Sequence, residues 1–123
     1  MADVALDELQ RRFEDDDLVV LDVRMPQEFA GVAGAHCDPR QGHIPGARNI
    51  PLDRILECRS AEQVRALVDL PEGTEIVAYC HSGTRSAFAV QVLTAAGYDA
   101  RNYVGSWHEW SRVRTVPTAA PHD

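Results

Sequence analysis

No apolar stretch in this chain approaches the ~18 residues a membrane span takes, so none is expected to cross a bilayer. Cysteine is scarce and odd in number: Cys37, Cys58 and Cys80 argue against a disulfide framework. No basic segment followed by an apolar run marks a secretory leader. Positive charge is outnumbered, with 12 Arg and Lys against 19 Asp and Glu and a formal net charge of -7. Such a balance does not favour nucleic acid or an anionic membrane surface as partner. No internal repeat is present. These absences lead to the expectation of a cytoplasmic, reducing setting in which a thiol stays free. A small anionic ligand would then need a local positive site, because the overall field repels it.

What is present is ordinary in bulk and informative in order. At 123 residues, 45% of them hydrophobic, the chain can build one real core. The expectation is one domain over residues 1–116 with a flexible tail over 117–123. Asp3 is placed to cap a helix through Leu6, Leu9 and Phe13. The acidic run Glu14–Asp17 reads as a solvated turn. Leu18–Leu21 is a continuous run of β-formers, as in a strand covered on both faces, and Asp22-Val23-Arg24 brings charge to its end. Pro26 suits the first turn of a short helix through Phe29.

Gly31 to Gly46 is a long loop, and loops of that length in small domains are often functional. Ala47–Ile50 is a short strand stopped by Pro51. Ser60 and Gln63 form a capping-box pair for a helix that turns Val64, Leu67 and Val68 inward. Glu75–Tyr79 is a further strand. The helix after it, over 84–96, is apolar nearly all round and is expected to be deeply buried, with Gly97 ending it. Ala100–Val104 is the last strand. Ser106 and Glu109 are placed to cap a final helix carrying Trp107 and Trp110. Alternating helices and short apolar strands predict an α/β domain with a mostly parallel sheet and helices on both faces. Such sheets bind ligands at the carboxyl ends of their strands, where Asp22, Arg24 and Cys80 all fall.

The chemistry concentrates at Cys80-His81-Ser82-Gly83-Thr84-Arg85-Ser86. A buried strand delivers the cysteine to a helix N-terminus, where backbone N–H groups and the helix dipole favour an anion. Small neighbours let successive N–H groups turn inward as a nest. Arg85 closes the loop and can hold it, or an incoming oxyanion, through paired hydrogen bonds. Such surroundings lower a cysteine pKa and make the thiol a nucleophile. They would equally stabilise a persulfide anion.

Four segments resemble the rhodanese-like sulfurtransferases. They are Leu21-Asp22-Val23-Arg24 with Pro26, Glu28 and Phe29; the run 42–51, Gly-His-Ile-Pro-Gly-Ala-Arg-Asn-Ile-Pro; the loop 79–86; and Asn102 to Trp110, which is similar to the closing motif of the catalytic half of two-domain thiosulfate sulfurtransferases. They stand in the family's order and span nearly the whole chain. The resemblance implies a five-stranded parallel sheet flanked by helices. It implies that Cys80 takes a sulfane sulfur from a small anionic donor such as thiosulfate. The persulfide would pass it to cyanide or a thiol. His81, Ser82, Gly83, Thr84 and Ser86 carry over as the cradle, Arg85 as its charged anchor, and Asp22 and Arg24 as supports.

Four residues separate Cys80 from Arg85, against five in a related phosphatase group. The smaller ring suits sulfur better than phosphate and argues against a phosphatase or arsenate reductase. A relay that takes persulfide from one protein and hands it to another stands as the alternative. A non-catalytic binding domain is disfavoured by the presence of Cys80. No cofactor is expected. The insertion Gly31–Gln41 holds His36 and Cys37, with His43 nearby, but in no standard ligand spacing, so no metal is expected. Cys37 could instead act as a resolving thiol. Cys58 reads as a packing residue.

Overall fold

The computed structural model describes residues 3–120. The elements are α1 (Leu6–Arg12), β1 (Leu18–Asp22), α2 (Pro26–Phe29), β2 (Arg48–Asn49), α3 (Leu52–Glu57), α4 (Ala61–Val68), β3 (Glu75–Tyr79), α5 (Thr84–Ala95), β4 (Asp99–Asn102) and α6 (Ser106–Trp110). The strands form one sheet in the order β2-β1-β3-β4, parallel throughout. The expectation of five strands is corrected to four. Beyond β4 the described residues contribute a single parallel bridge, Val4 to Tyr103, with the Val4 N–H donating to Asn102 O at 2.9 Å. Ala5 then already serves as N-cap of α1, so the pairing ends after one residue.

Strand side chains alternate between two cores, as a pleat with a period of two requires. Leu21 and Ile76 face a cluster with Ile55 of α3, Val64 and Val68 of α4, and Ala89 and Leu93 of α5. Leu18, Val20, Val77 and Tyr79 face a second cluster with Leu9 of α1 and Trp107 and Trp110 of α6. Both indoles are fully buried. Truncating either would cost about 3–5 kcal/mol.

Register then brings the site together. Asp22 pairs with Tyr79 and Ala78 with Asn102, so Asp22, the residue before Cys80, and Asn102 share the carboxyl edge. Local caps differ from expectation in three places. Asp3 does not cap α1, whose N-cap is Ala5. Ser60 does cap α4 by accepting from Gln63 N–H, but the Gln63 side chain accepts from Arg59 N–H. The N-cap of α6 is Gly105, and Ser106 lies inside the helix with a left-handed φ of 54°. Helix α5 buries one face through Ser86, Ala89 and Leu93 rather than all sides, and Phe88 is 54% exposed.

The expected flexible tail is tied down as far as Ala119. Its N–H donates to His43 O at 2.9 Å and its carbonyl accepts from His43 N–H at 2.8 Å. Trp110 Nε1 donates to Pro117 O. The rest of that tail, 121–123, lies outside the described residues.

Candidate active site

Cys80 leaves β3 buried, 1% exposed, and the chain turns at once into α5. The turn works because Gly83 adopts φ +93°, a region that costs other residues about 1–2 kcal/mol. A Cβ there would also stand 2.7 Å from Val104 O. In this conformation Gly83 N–H donates to Cys80 Sγ at 3.1 Å, and the Ser86 hydroxyl donates to it at 3.3 Å. Burial pushes the thiol pKa up. The Ser86 hydroxyl and the N–H groups of Ser86, Gly83 and Ser82 outweigh it, so the pKa falls below the ordinary 9.0.

The carbonyls of the loop are held elsewhere. Trp107 N–H donates to Cys80 O and His108 N–H to His81 O, both at 2.9 Å. Asn102 Nδ2 donates to Gly83 O. Ser106 Oγ accepts from Cys80 N–H at 3.1 Å and donates to Tyr103 O at 2.8 Å. With its carbonyls engaged by α6 and Asn102, the loop turns N–H groups toward the sulfur. That is an anion nest in geometry as well as in sequence.

The remaining candidates do not all meet at the sulfur. The Arg85 guanidinium makes a two-pronged pair with Glu28 of α2, at 2.9 and 3.1 Å. Glu28 first, and the neighbouring Cys80 as well, hold the Arg85 pKa up. Thr84 and Ser82 line an open pocket of about 440 Å³ on the α5 side, with Phe88 and Val104 at its rim. Asp22 and Arg24 form a fully buried pair, Nη2 to Oδ2 at 2.7 Å. Arg24 also donates to Gly42 O at 2.6 Å and lies 5.0 Å from the Trp107 ring. This pair fastens the end of the 31–46 loop to β1 rather than touching Cys80.

Three residues at the site are given no part in it by the sequence: Glu28, placed only in the first motif, Ser106, placed only as a helix cap, and Asp38. Asp38 comes from the insertion. Its Oδ2 is 2.9 Å from His81 Nε2, and its Oδ1 accepts from Arg112 at 2.8 Å. The insertion is anchored by Arg40, which donates to the carbonyls of Trp110, Ser111, Val113 and Val116. A charged residue inside a long loop was the available signal for Asp38, but many such residues are simply solvated. Of the residues in and near the insertion that are weighed and set aside as metal ligands, neither His36 nor His43 joins a donor group with Cys37. His43 stacks on Phe29 and its Nδ1 bonds Phe29 O.

The model of the Rhodanese-like domain matches residues 5–113. The chain belongs to the rhodanese-like domain family. The sulfur carrier protein TtuD of Thermus thermophilus is 38% identical over 115 residues, covering 81% of this chain and 40% of that protein. A crystal structure of a probable thiosulfate sulfurtransferase is 44% identical with a TM-score of 0.81, over 97% of this chain and 47% of that one. The human single-domain sulfurtransferase TSTD1 is 31% identical with a TM-score of 0.67, over 89% of this chain and 95% of that one. This rhodanese-like domain thus spans less than half the length of the curated relatives it matches. Among its described residues no helix is long and apolar enough to cross a membrane.

Proposed function

We propose that this domain is a thiosulfate sulfurtransferase in which Cys80 carries the sulfur. The observation that supports it most is the inward-facing Gly83 N–H and Ser86 hydroxyl on Sγ. The thiolate attacks the sulfane sulfur of thiosulfate. The donor's S–S bond breaks, and sulfite leaves with the electron pair. The terminal sulfur of the persulfide keeps the negative charge, which the N–H nest of Ser82, Gly83 and Ser86 stabilises. Cyanide or a thiolate then attacks that outer sulfur, and the Cys80 thiolate returns. Neither step needs a cofactor, and the first needs no proton removed from an ionised Cys80.

Arg85 acts in this reading as a positioning residue with a favourable field. It locks the loop's exit onto α2 through Glu28 and leaves the sulfur to backbone donors. Asp22 and Arg24 hold the loop base. Relatives named thiosulfate sulfurtransferase and single-domain sulfurtransferase support the chemistry.

A second reading, protein-to-protein relay, is favoured by the open pocket beside the loop with exposed Phe88 and Val104 at its rim. The likeness to a protein named as a sulfur carrier points the same way. Intact-mass analysis after incubation with thiosulfate tests the common step. The protein is expected to gain one sulfur atom, and Cys80→Ser to gain none. No gain in the unaltered chain overturns the thiosulfate sulfurtransferase reading. Thiocyanate formed on adding cyanide then favours small-molecule turnover, and a stable persulfide that cyanide leaves intact favours the relay.

A further inference from the structure

Cys37, Asp38 and His81 bring three kinds of donor to one place. The Cys37 thiol, an Asp38 carboxylate oxygen and a His81 ring nitrogen all lie within 4.8 Å of one another. The Asp38 side chain is only 1% exposed. Its Oδ1 accepts from Arg112 at 2.8 Å and from the Cys37 thiol at 3.9 Å, but its Oδ2 accepts from neither. Oδ2 sits at ion-pair distance from His81 Nε2, yet the two are not aligned as a hydrogen bond, and each is buried without a partner. Folded proteins rarely leave such atoms unsatisfied unless an ion, a water or a function accounts for them. A hydrogen bond demands that donor and acceptor point along one line. Ligands of a metal need only converge on a shared centre, roughly 2 Å from each nitrogen or oxygen.

We propose that Cys37 Sγ, Asp38 Oδ2 and His81 Nε2 bind a thiophilic divalent cation of the zinc class, with a fourth position open to solvent beside the exposed Cys37. Mixed sulfur, nitrogen and oxygen donors suit zinc and exclude magnesium or calcium as the preferred ion. Binding takes Cys37 as thiolate, its proton going to solvent, and His81 as neutral imidazole. The two anionic ligands balance the ion's charge. Arg112, on the other carboxylate oxygen, orients Asp38 from behind, the usual task of an outer partner. His108 Nδ1 is 3.8 Å from Oδ1, the oxygen that Arg112 takes, and stands outside the group of three donors. Because His81 directly follows Cys80, an ion here pins the first residue of the catalytic loop to the insertion. Linear spacing hides the site, since its ligands come from two distant segments.

Co²⁺ serves as the probe, in a Cys58→Ser/Cys80→Ser background where Cys37 is the sole thiol. One Co²⁺ per chain is expected, with thiolate-to-cobalt charge-transfer absorption, the visible bands of a four-coordinate ion, and displacement by Zn²⁺. His81→Ala should weaken Co²⁺ binding at least about tenfold. Cys37→Ser, a change on an exposed side chain that does not threaten the fold, should abolish the charge-transfer band and the tight binding. Absence of a saturable band at millimolar cobalt overturns the proposal. So does Co²⁺ affinity indifferent to His81→Ala, or tight binding that survives Cys37→Ser. The readout is binding alone, so its failure is distinct from any failure of sulfur transfer.

Discussion

The Ser86 hydroxyl lies 3.3 Å from Cys80 Sγ, from the first turn of the helix that the cysteine loop opens. Ser86 is itself fully buried, so this hydroxyl has no water to turn to. Its hydrogen bond strengthens as the sulfur gains charge. Hydrogen bonds to a charged group are worth about 1.5–3 kcal/mol. Ser86→Ala is expected to raise the thiol pKa toward or past the ordinary 9.0. It should slow alkylation of Cys80 by iodoacetamide at pH 7 by about tenfold. The pH profile of alkylation checks it: an unmoved inflection would mean the backbone donors suffice.

Gly83→Ala is expected to damage the cradle rather than the core. The new side chain meets a left-handed backbone and the Val104 carbonyl at once. Stability should fall by about 1–2 kcal/mol from the backbone conformation alone. If the loop relaxes instead, the Gly83 N–H leaves Sγ and the thiol pKa rises. Urea melts together with the alkylation profile read both, and a variant unchanged in each would refute the requirement for glycine.

Asp22→Asn should be costly although Asp22 is placed outside the proposed chemistry. It leaves the Arg24 guanidinium, 1% exposed, without its counter-ion. Removing one partner of a buried pair costs about 3–5 kcal/mol. The double replacement Asp22→Leu/Arg24→Met should recover much of that loss, but not the contact to Gly42 O. A loss for Asp22→Asn below about 1 kcal/mol, the scale of a surface pair, would show that the charge is solvated.

The Glu28–Arg85 pair should appear in acid. Burial raises the Glu28 pKa, but Arg85 outweighs it and holds it below the ordinary 4.5. A depressed carboxylate contributes stability that is fully present above 4.5 and is lost as pH falls through the folded value. The stability difference between the unaltered chain and Glu28→Gln is therefore expected at pH 7 and should shrink below pH 4.5. Denaturant titrations across that window check it. A difference constant with pH would remove Glu28 from the ion pair.

The strands were legible because Leu18–Leu21 and Ile76–Ala78 are buried on both faces, and burial writes itself as an unbroken apolar run. The fifth strand came from resemblance alone, and physically it is the single Val4–Tyr103 bridge. Cys80 and its cradle were legible because strand, glycine turn and helix follow each other in sequence. The partners Glu28, Asp38 and Ser106 were not, because each reaches the loop from a distant segment and its residue type fits a blander local role. Ser106 shows the ambiguity: a serine before a helix reads as a cap, yet its hydroxyl serves the Cys80 N–H. Helix α5 misled for a different reason. Its apolar residues encircle it, but the pocket beside Val104 leaves Phe88 in solvent.

The engagement of the loop carbonyls by α6 has a kinetic consequence. The Cys80, His81 and Gly83 carbonyls are spent on the protein, so the pull on an anion is short-ranged and confined to the sulfur's immediate surroundings. Beyond that range an approaching dianion feels a chain of net charge -7. Repulsion of that kind is screened by salt, with a reach of about 10 Å at 0.1 M. Capture of an anionic donor by this domain should therefore speed up, not slow down, as ionic strength rises.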